Sequence, residues 1–575
     1  MIDFDIVVIG SGAGGLSAAV ALAQQGKKVL VLEQHYAPGG WSHSFTLEGH
    51  RFSPGIHYIG ELGPGGRMRR IYEGLGVSGD LVFCELNPDG FDHIQIGQER
   101  FDIPKGKENL AKRLCERFPA EAKGIRKYLD TVEKIARELD SLFAFKGLGD
   151  LLTIPFRART VAMWGLRSLE ALIKSHVNDP MLRAILAAQA GDHGLPPSLA
   201  PAPVHAGVVA HYFDGGWYPR GGAFTLPRAF IRALKKAGSK IRLETGVEKI
   251  LVENGRTIGV RLAGGEEVRA PIVISNADPH MTWKLVDPQH VPPAVTKRLG
   301  KTRYSTSSLS LFLATDLDLR GAGMDSGNYW NYSNPDIEKI YRTGMTAWNL
   351  DKLEADGMFL TATTLKDPSK EKGAHTLEAF SFVHHDAFKQ WAGTQFGGRS
   401  ADYGALKDRL KARMIEQLGR IIPELPSRIT FSDLGTPLSN VHYCAATEGN
   451  LYGTEKSKWQ IGPWAWPLKT ELGGLWMCGA STLSHGVLGA TVSGLAVAKS
   501  ILRCSLNDLL VKKGPDLVCV PSEHPEEWPV HLRGRSKADE TEVPEKSSMI
   551  PAPSTSSTSN VPGLAASSAQ PERRA

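Results

Sequence analysis

Residues 5–33 constrain this chain more than any other stretch. Asp5-Ile-Val-Val-Ile9 reads as a buried parallel strand, and Gly10-Ser11-Gly12-Ala13-Gly14-Gly15 follows it at once. Ser17–Gln25 then reads as an alanine- and leucine-rich helix, ended by Gly26 as a left-handed cap. Lys28-Val-Leu-Val-Leu32 is a second strand with Glu33 at its end. Gly10 makes the tight turn, Gly12 lets the backbone approach a pyrophosphate, and Gly15 allows close helix–strand packing. A diphosphate sits on the helix N-terminus, at Ala13 and Gly14, while Glu33 beside Gln34 accepts from the adenosine ribose hydroxyls. A lone GxGxxG is a weak signal, but here strand, helix and acid complete its context. The expectation is an α/β, Rossmann-like domain holding a dinucleotide.

The elements further along return to the same kind of sheet. Phe224–Ala237 suits a helix, with strands at Ile241–Thr245, Val247–Val252 and Thr257–Leu262, the last two joined by an Asn254-Gly255 hairpin turn. Pro271-Ile-Val-Ile-Ser275 reads as a fully buried strand. Gly474-Leu-Trp-Met-Cys478 reads as another, followed by a Gly/Ala-rich helix, Gly486–Leu502. A binding domain assembled from three segments is therefore expected over 1–95, 215–280 and 430–505. The insertions, 96–214 and 281–429, are expected to build an α+β substrate or cap domain. From Pro521 the composition turns to Pro, Ser, Thr, Ala and Glu, and 521–575 is expected to be a disordered tail. The tail carries a net charge of −2, leaving +8 on the body of a chain whose formal charge is +6. That basicity is too diffuse for nucleic acid.

Several classes are set aside. No run approaches the ~18 uninterrupted apolar residues of a membrane-spanning helix. Six scattered cysteines with no CxxC exclude a disulfide scaffold and a recognisable zinc site, and no metal is expected. The first residues run straight into a strand, which predicts no export signal and a cytoplasmic location. His384-His385-Asp386 lacks a partner at metal spacing and reads as surface, and no GxSxG elbow is present.

The dinucleotide is expected to be FAD. Ala37-Pro38-Gly39-Gly40 follows Glu33 closely and lets the chain pass over an extended cofactor. The late glycine-rich segment from Gly479 to Gly489 offers a second helix N-terminus for the ribityl and isoalloxazine end. No second GxGxxG follows a strand, since Gly321-Ala-Gly323-Met-Asp-Ser-Gly327 has the wrong spacing. Electrons must then come from an external donor such as NAD(P)H.

Four segments together resemble one family: Phe52-Ser-Pro-Gly55-Ile56-His57-Tyr58-Ile59-Gly60, His211-Tyr212-Phe213-Asp214-Gly-Gly-Trp217-Tyr218-Pro219-Arg220-Gly221-Gly222, Pro271–Asp278 and Gly479–Ala490. From Asp5 to about Leu502 the chain is similar to the retinol saturase and carotenoid isomerase branch of the phytoene-desaturase-type flavoproteins. The resemblance implies a glutathione-reductase-type FAD fold and reduction or isomerisation of double bonds in apolar polyenes. It implies that Gly10, Gly12, Gly15, Glu33, Gly39 and Gly40 hold the AMP and pyrophosphate half. Val247 holds adenine through its backbone, and Gly479, Gly486 and Val487 hold the flavin end. Two family features are missing: Ala480-Ser481 stand where an acidic or amide residue is common, and Trp41 replaces an arginine found in amine-oxidase-like relatives.

Alkene reduction needs a hydride from the flavin and a proton from an acid or water. His57, Tyr58 and His485 are the leading catalytic candidates, with His193 and Tyr212 behind them. Each has a plainer reading as a packing residue. Trp459-Gln-Ile-Gly-Pro-Trp464-Ala-Trp466 fits either an apolar channel lining or a buried loop. Leu151–Lys174 has the composition of an interfacial helix, which would dock the chain on the inner face of a membrane, or of an amphipathic helix packed on its own domain. The leading expectation is saturation of one double bond in a retinoid- or carotenoid-like polyene. The alternatives are carotenoid isomerisation or desaturation, an FAD-dependent amine oxidase, and a non-catalytic lipid-binding flavoprotein.

Overall fold

The computed structural model describes residues 2–143, 157–346, 350, 356–370 and 373–533. Five short strands, all parallel, form the first sheet in the order Leu475–Met477, Ile272–Ser275, Ile6–Ile9, Val29–Leu32, Lys240–Arg242. Its strands come from the beginning, middle and end of the chain. The three inner strands are buried runs of Val, Ile and Leu without polar alternation, as a doubly covered parallel sheet requires, whereas the edge strand Lys240–Arg242 is polar and largely exposed. One face carries the helices Ala13–Ala23, Thr225–Lys236 and Gly486–Leu502. The other is covered by a three-stranded antiparallel sheet, Val247–Glu253, Arg256–Leu262 and Glu267–Arg269. Its first turn places Asn254 and Gly255 at φ 49° and 71°, as a two-residue hairpin needs.

A second sheet has seven strands in the order Ile429–Gly435, Ser307–Thr315, His375–Val383, Gly357–Ala362, Asn328–Tyr332, Asp92–Ile96, Glu99–Ile103. Helices Ala122–Phe143, Leu169–Lys174, Pro180–Ala187 and Ala202–His211 build one core with it, and Ala401–Ile421 belongs to another. Strands Asp92–Ile96 and Ile429–Gly435 run through the boundaries expected at 95 and 430, and both pair within this sheet. We propose that the division between cofactor and cap domains falls ahead of Asp92–Ile96 and after Ile429–Gly435.

The tail begins later than its composition predicts. Val518–Pro521 pairs in parallel with Val82–Glu85, completing a three-stranded sheet with Trp217–Pro219. Beyond it Trp528 is buried, its indole N–H donating to the Pro521 carbonyl at 2.6 Å and its ring lying 5.7 Å from the Arg220 guanidinium. One large aromatic anchor outweighs a polar composition, so residues 521–533 are ordered; 534–575 lie outside the described residues.

Candidate active site

Two helix N-termini converge on one end of a cavity of about 1330 Å³. Helix Ala13–Ala23 starts at Gly12 and helix Gly486–Leu502 at His485, with no side-chain cap and no acid in the first turn of either. Both ends therefore present backbone N–H groups and the positive pole of the helix dipole. The helices touch: Ser17 Oγ donates to the Thr491 carbonyl at 2.9 Å, and a Cβ on Gly494 would lie 2.0 Å from the Gly14 oxygen.

The floor between them is bare backbone. A Cβ on Gly12 would meet Asn276 Nδ2 at 2.4 Å, and one on Gly14 would meet the Gly479 nitrogen at 2.8 Å. Gly39 and Gly40 hold φ at 120° and 55°, bringing the second loop over Gly12. Asn276 closes the floor by accepting from the Gly15 N–H at 2.9 Å. Such a cradle takes a diphosphate, which needs N–H donors and no side chains in its path.

Of the residues expected to bind cofactor, Gly12, Ala13, Gly14, Gly39, Gly40, Gly479, Gly486 and Val487 line this cavity. Gly10, Gly15, Glu33, Gln34 and Val247 lie outside its lining. Gly15 packs instead: a Cβ there would fall 2.2 Å from the Gly10 carbonyl. Glu33 is buried, accepting from Ser11 N–H at 2.9 Å, Ser11 Oγ at 2.6 Å and His35 N–H at 2.9 Å. A carboxylate offers about four acceptor positions, so one is left toward a ribose. Gln34 is exposed, and Val247 pairs with Leu262 at the edge of the hydrophobic layer.

Part of the cavity wall is aromatic. His57 sits with its ring 5.0 Å from Phe359 and 5.8 Å from Phe380, and its Nδ1 is 3.4 Å from Glu378 Oε2. Tyr58 and Tyr212 stack at 4.1 Å with an interplanar angle of 6°. The Tyr58 hydroxyl lies 2.8 Å from Asp192 Oδ2 and 3.2 Å from Asp92 Oδ2. His485 donates from Nε2 to the Asp192 carbonyl at 2.8 Å, which fixes its tautomer because a carbonyl can only accept. Burial, with the Lys456 charge nearby, pulls the His485 pKa down to about 3, so the ring is neutral and its buried Nδ1 is an acceptor without a partner among the described residues. His193 lies outside the lining, fully buried and paired with His205 at 3.2 Å; it is a core residue.

Three buried polar groups at or beside the cavity had no signal in the sequence. Lys456 lines the cavity, donating to the carbonyls of Thr454 at 2.9 Å and Ala480 at 2.5 Å, and burial lowers its pKa to about 7. Lys366, equally buried, donates to the His57 carbonyl and to Asn328 Oδ1. Asp192 lies beside Tyr58. None sits in a patterned motif; the fold brings Lys456 and Asp192 into the cavity lining, while Lys366 reaches it only through the His57 carbonyl.

The amphipathic stretch is not one helix. Its residues 151–156 lie outside the described residues, and the rest forms two short helices, Arg159–Trp164 and Leu169–Lys174. Trp164, Leu169 and Leu172 are spent in the domain's own core, leaving Met163 and Leu166 exposed. The tryptophan cluster also divides. Trp466 is buried against Arg298, Trp459 is exposed, and Trp464 is both exposed and part of the cavity lining, as is Leu166. The cavity thus opens to solvent past apolar side chains.

A model of proteins described as flavin containing amine oxidoreductase matches residues 13–502, which include both helices and all of the cavity lining except Gly12, Ser505, Leu506, Asn507 and Leu510. The chain belongs to this flavin-containing amine oxidoreductase family. Its cofactor is FAD, and the glycine floor between the helix ends fits that group. Among relatives, an all-trans-retinol 13,14-reductase of Danio rerio is 32% identical over 88% of this chain and 87% of its own. A chloroplastic prolycopene isomerase of Daucus carota is 27% identical over 87% of this chain and 80% of its own. The fold matches an oxidoreductase structure from Methanosarcina mazei with a TM-score of 0.57 at 18% identity, covering 87% of this chain and 99% of that one. These likenesses put this member of the flavin-containing amine oxidoreductase family in the retinol saturase and carotenoid isomerase branch. Among the described residues no helix is long and apolar enough to cross a membrane.

Proposed function

We propose that this enzyme saturates one carbon–carbon double bond of an apolar polyene of the retinoid or carotenoid type. The observation that carries the reading is the single cavity running from the Gly12–Gly40–Gly479 floor to the aromatic chamber of Phe359, Phe380, Tyr58 and Tyr212. At about 1330 Å³ it exceeds the roughly 300–1,000 Å³ of ordinary ligand pockets, as a site for a dinucleotide plus a long apolar substrate must. The relatives' names, retinol 13,14-reductase and prolycopene isomerase, point to the same substrate class.

Bound FAD supplies hydride chemistry. The helix ends at Gly12 and His485 would hold its diphosphate and flavin halves, with Gly39 and Gly40 beside the diphosphate and Glu33 toward the ribose. Phe359 and Phe380 clamp the polyene and exclude water, while the carboxyl and phenol groups around Tyr58 hold the proton that completes the saturated bond. The stacked Tyr58 and Tyr212 leave no slot between their rings for an alkylammonium, which weighs against amine oxidation. Electrons come from an external donor, NAD(P)H or a redox protein, because the single parallel sheet carries one dinucleotide cradle among the described residues. Substrate enters from a lipid surface past the exposed Leu166 and Trp464, with Arg167 and Lys458 on the same two segments to meet phosphates.

The second reading is cis–trans isomerisation, favoured by the Daucus carota relative and by a site that needs no further group for it. The test is to add all-trans-retinol, a poly-cis carotenoid or putrescine anaerobically to holoenzyme in each redox state. Polyene-driven oxidation of the reduced flavin supports the saturase, and polyene change without flavin oxidation supports the isomerase. Reduction of the oxidised flavin by the amine contradicts both.

A further inference from the structure

The Tyr58 hydroxyl faces two carboxyl groups with one proton to offer. Asp192 Oδ2 is 2.8 Å away and Asp92 Oδ2 is 3.2 Å away, so with both acids ionised one contact would set a carboxylate lone pair against the phenol's own. One acid must carry a proton. Burial raises Asp92 to about 6, but its carboxylate accepts from Gln189 Nε2 at 2.7 Å and Asn328 Nδ2 at 3.0 Å, so of the two acids it is the anion at neutral pH. Among the described residues, the Asp192 carboxyl has Tyr58 alone as a hydrogen-bond partner. Asp192 lines the cavity, whereas Asp92 does not.

We infer that Asp192 is the general acid of the reaction, its carboxyl proton held ready by Tyr58 and the Asp92 carboxylate behind it. The assignment rests on the polyene reading above. Burial first, then the Asp92 charge, raises Asp192 to about 8, near the value a general acid needs at neutral pH. The other titratable groups facing it are Tyr58, Tyr212, Tyr332, Tyr341, Tyr452 and His485. The phenols are all pushed upward by burial, and His485 is neutral. Asp92 is therefore the charge that sets the proton's affinity. The loop carrying Asp192 is fixed on both sides, by His485 on the Asp192 carbonyl and by the Tyr452 hydroxyl on the Gly191 carbonyl, each at 2.8 Å.

In the step, one alkene carbon would receive a hydride, with its electron pair, that bound reduced FAD would supply on being oxidised. The π pair forms a C–H bond at the other carbon with the Asp192 proton, leaving Asp192 a carboxylate that is reprotonated from solvent. Tyr58 and Asp92 are positioning residues.

The test pairs infrared spectra of wild-type and Asp192→Asn holoenzyme with the rate at which all-trans-retinol reoxidises dithionite-reduced flavin between pH 6 and 10. The expected result is a protonated-carboxyl C=O band in the wild type that titrates near pH 8 and is absent from the variant. The wild-type rate falls above that pH. The variant, with unchanged flavin content, is slower by about 100-fold or more and loses that limb. Tyr58→Phe keeps the band but shifts its titration. A missing band, or an Asp192→Asn profile with the limb intact, overturns the assignment. So does a variant that only raises KM for retinol, because that marks an anchor for the alcohol. A wild type that shows the band but reacts with no polyene overturns the substrate reading, and with it the catalytic role.

Discussion

Asn276 accepts a 2.9 Å hydrogen bond from the Gly15 backbone, joining positions 261 apart in sequence at the point where three chain segments meet. The same amide sits within contact distance of where a Cβ on Gly12, Gly14 or Gly479 would be. It therefore sets the height of the floor under the diphosphate. Asn276→Leu should leave the Gly15 N–H without its acceptor, cost about 1–3 kcal/mol, and lower the fraction of protein purified with flavin. Urea unfolding together with the flavin-to-protein absorbance ratio checks both effects.

Gly12→Ala should be worse for cofactor than for fold. Its Cβ would come 2.4 Å from Asn276 Nδ2, on the cavity face, so the amide must swing and the floor rises. Gly26→Ala is the control. Its φ of 79° costs backbone strain, but no atom lies within 4 Å of the new Cβ. The first variant should lose flavin with a modest drop in Tm; the second should lose stability of about 1 kcal/mol and keep its flavin.

Lys456 predicts a stability trend with a defined sign. Burial depresses its pKa to about 7 in the folded state, against about 10.4 for a free lysine. Between those values the unfolded chain binds more protons, so this lysine's contribution to stability rises with pH, by at most about 1.4 kcal/mol per unit. Below pH 7 both states are charged and the burial penalty is felt in full. The stability of wild type minus that of Lys456→Met should therefore climb between pH 7 and 10. A difference independent of pH would show that this lysine is not desolvated.

Trp528 tests whether the segment after Pro521 belongs to the fold. The ring is 1% exposed, hydrogen-bonded to Pro521 and set over Arg220. Trp528→Ala should cost about 3–5 kcal/mol in urea unfolding, as for other buried large-to-small changes, whereas deleting the residues beyond 533 should not reproduce that loss.

Local rules made part of this molecule readable. The turn after Ile9, the Asn254-Gly255 hairpin and the helix from Gly486 to Leu502 follow from glycine placement and apolar runs, and each is where those rules put it. What chain pairing decides at long range was not readable. Nothing near Asp92 or Asp192 announces that strand Asp92–Ile96 and the turn Ala188–Asp192 converge on Tyr58. The buried lysines look like solvated ones in sequence, because their acceptors are carbonyls that any residue carries. His193 shows the opposite failure: its neighbourhood in sequence pointed to the site, but His205 takes it into the core. Composition misled at the tail, where Trp528 offsets seven polar neighbours from Pro521 to Arg533, and in 157–174 it did not show that the stretch divides into two short helices.

The most direct test of the central claim is a stoichiometric one. Reduced holoenzyme is mixed anaerobically with a limiting amount of all-trans-retinol, and the product is weighed by mass spectrometry while flavin oxidation is counted. The account predicts a product heavier by two hydrogens, with a conjugated system shorter by one double bond, formed one for one with flavin oxidised. Retinol recovered unchanged, or isomerised at its original mass while the flavin stays reduced, would contradict it.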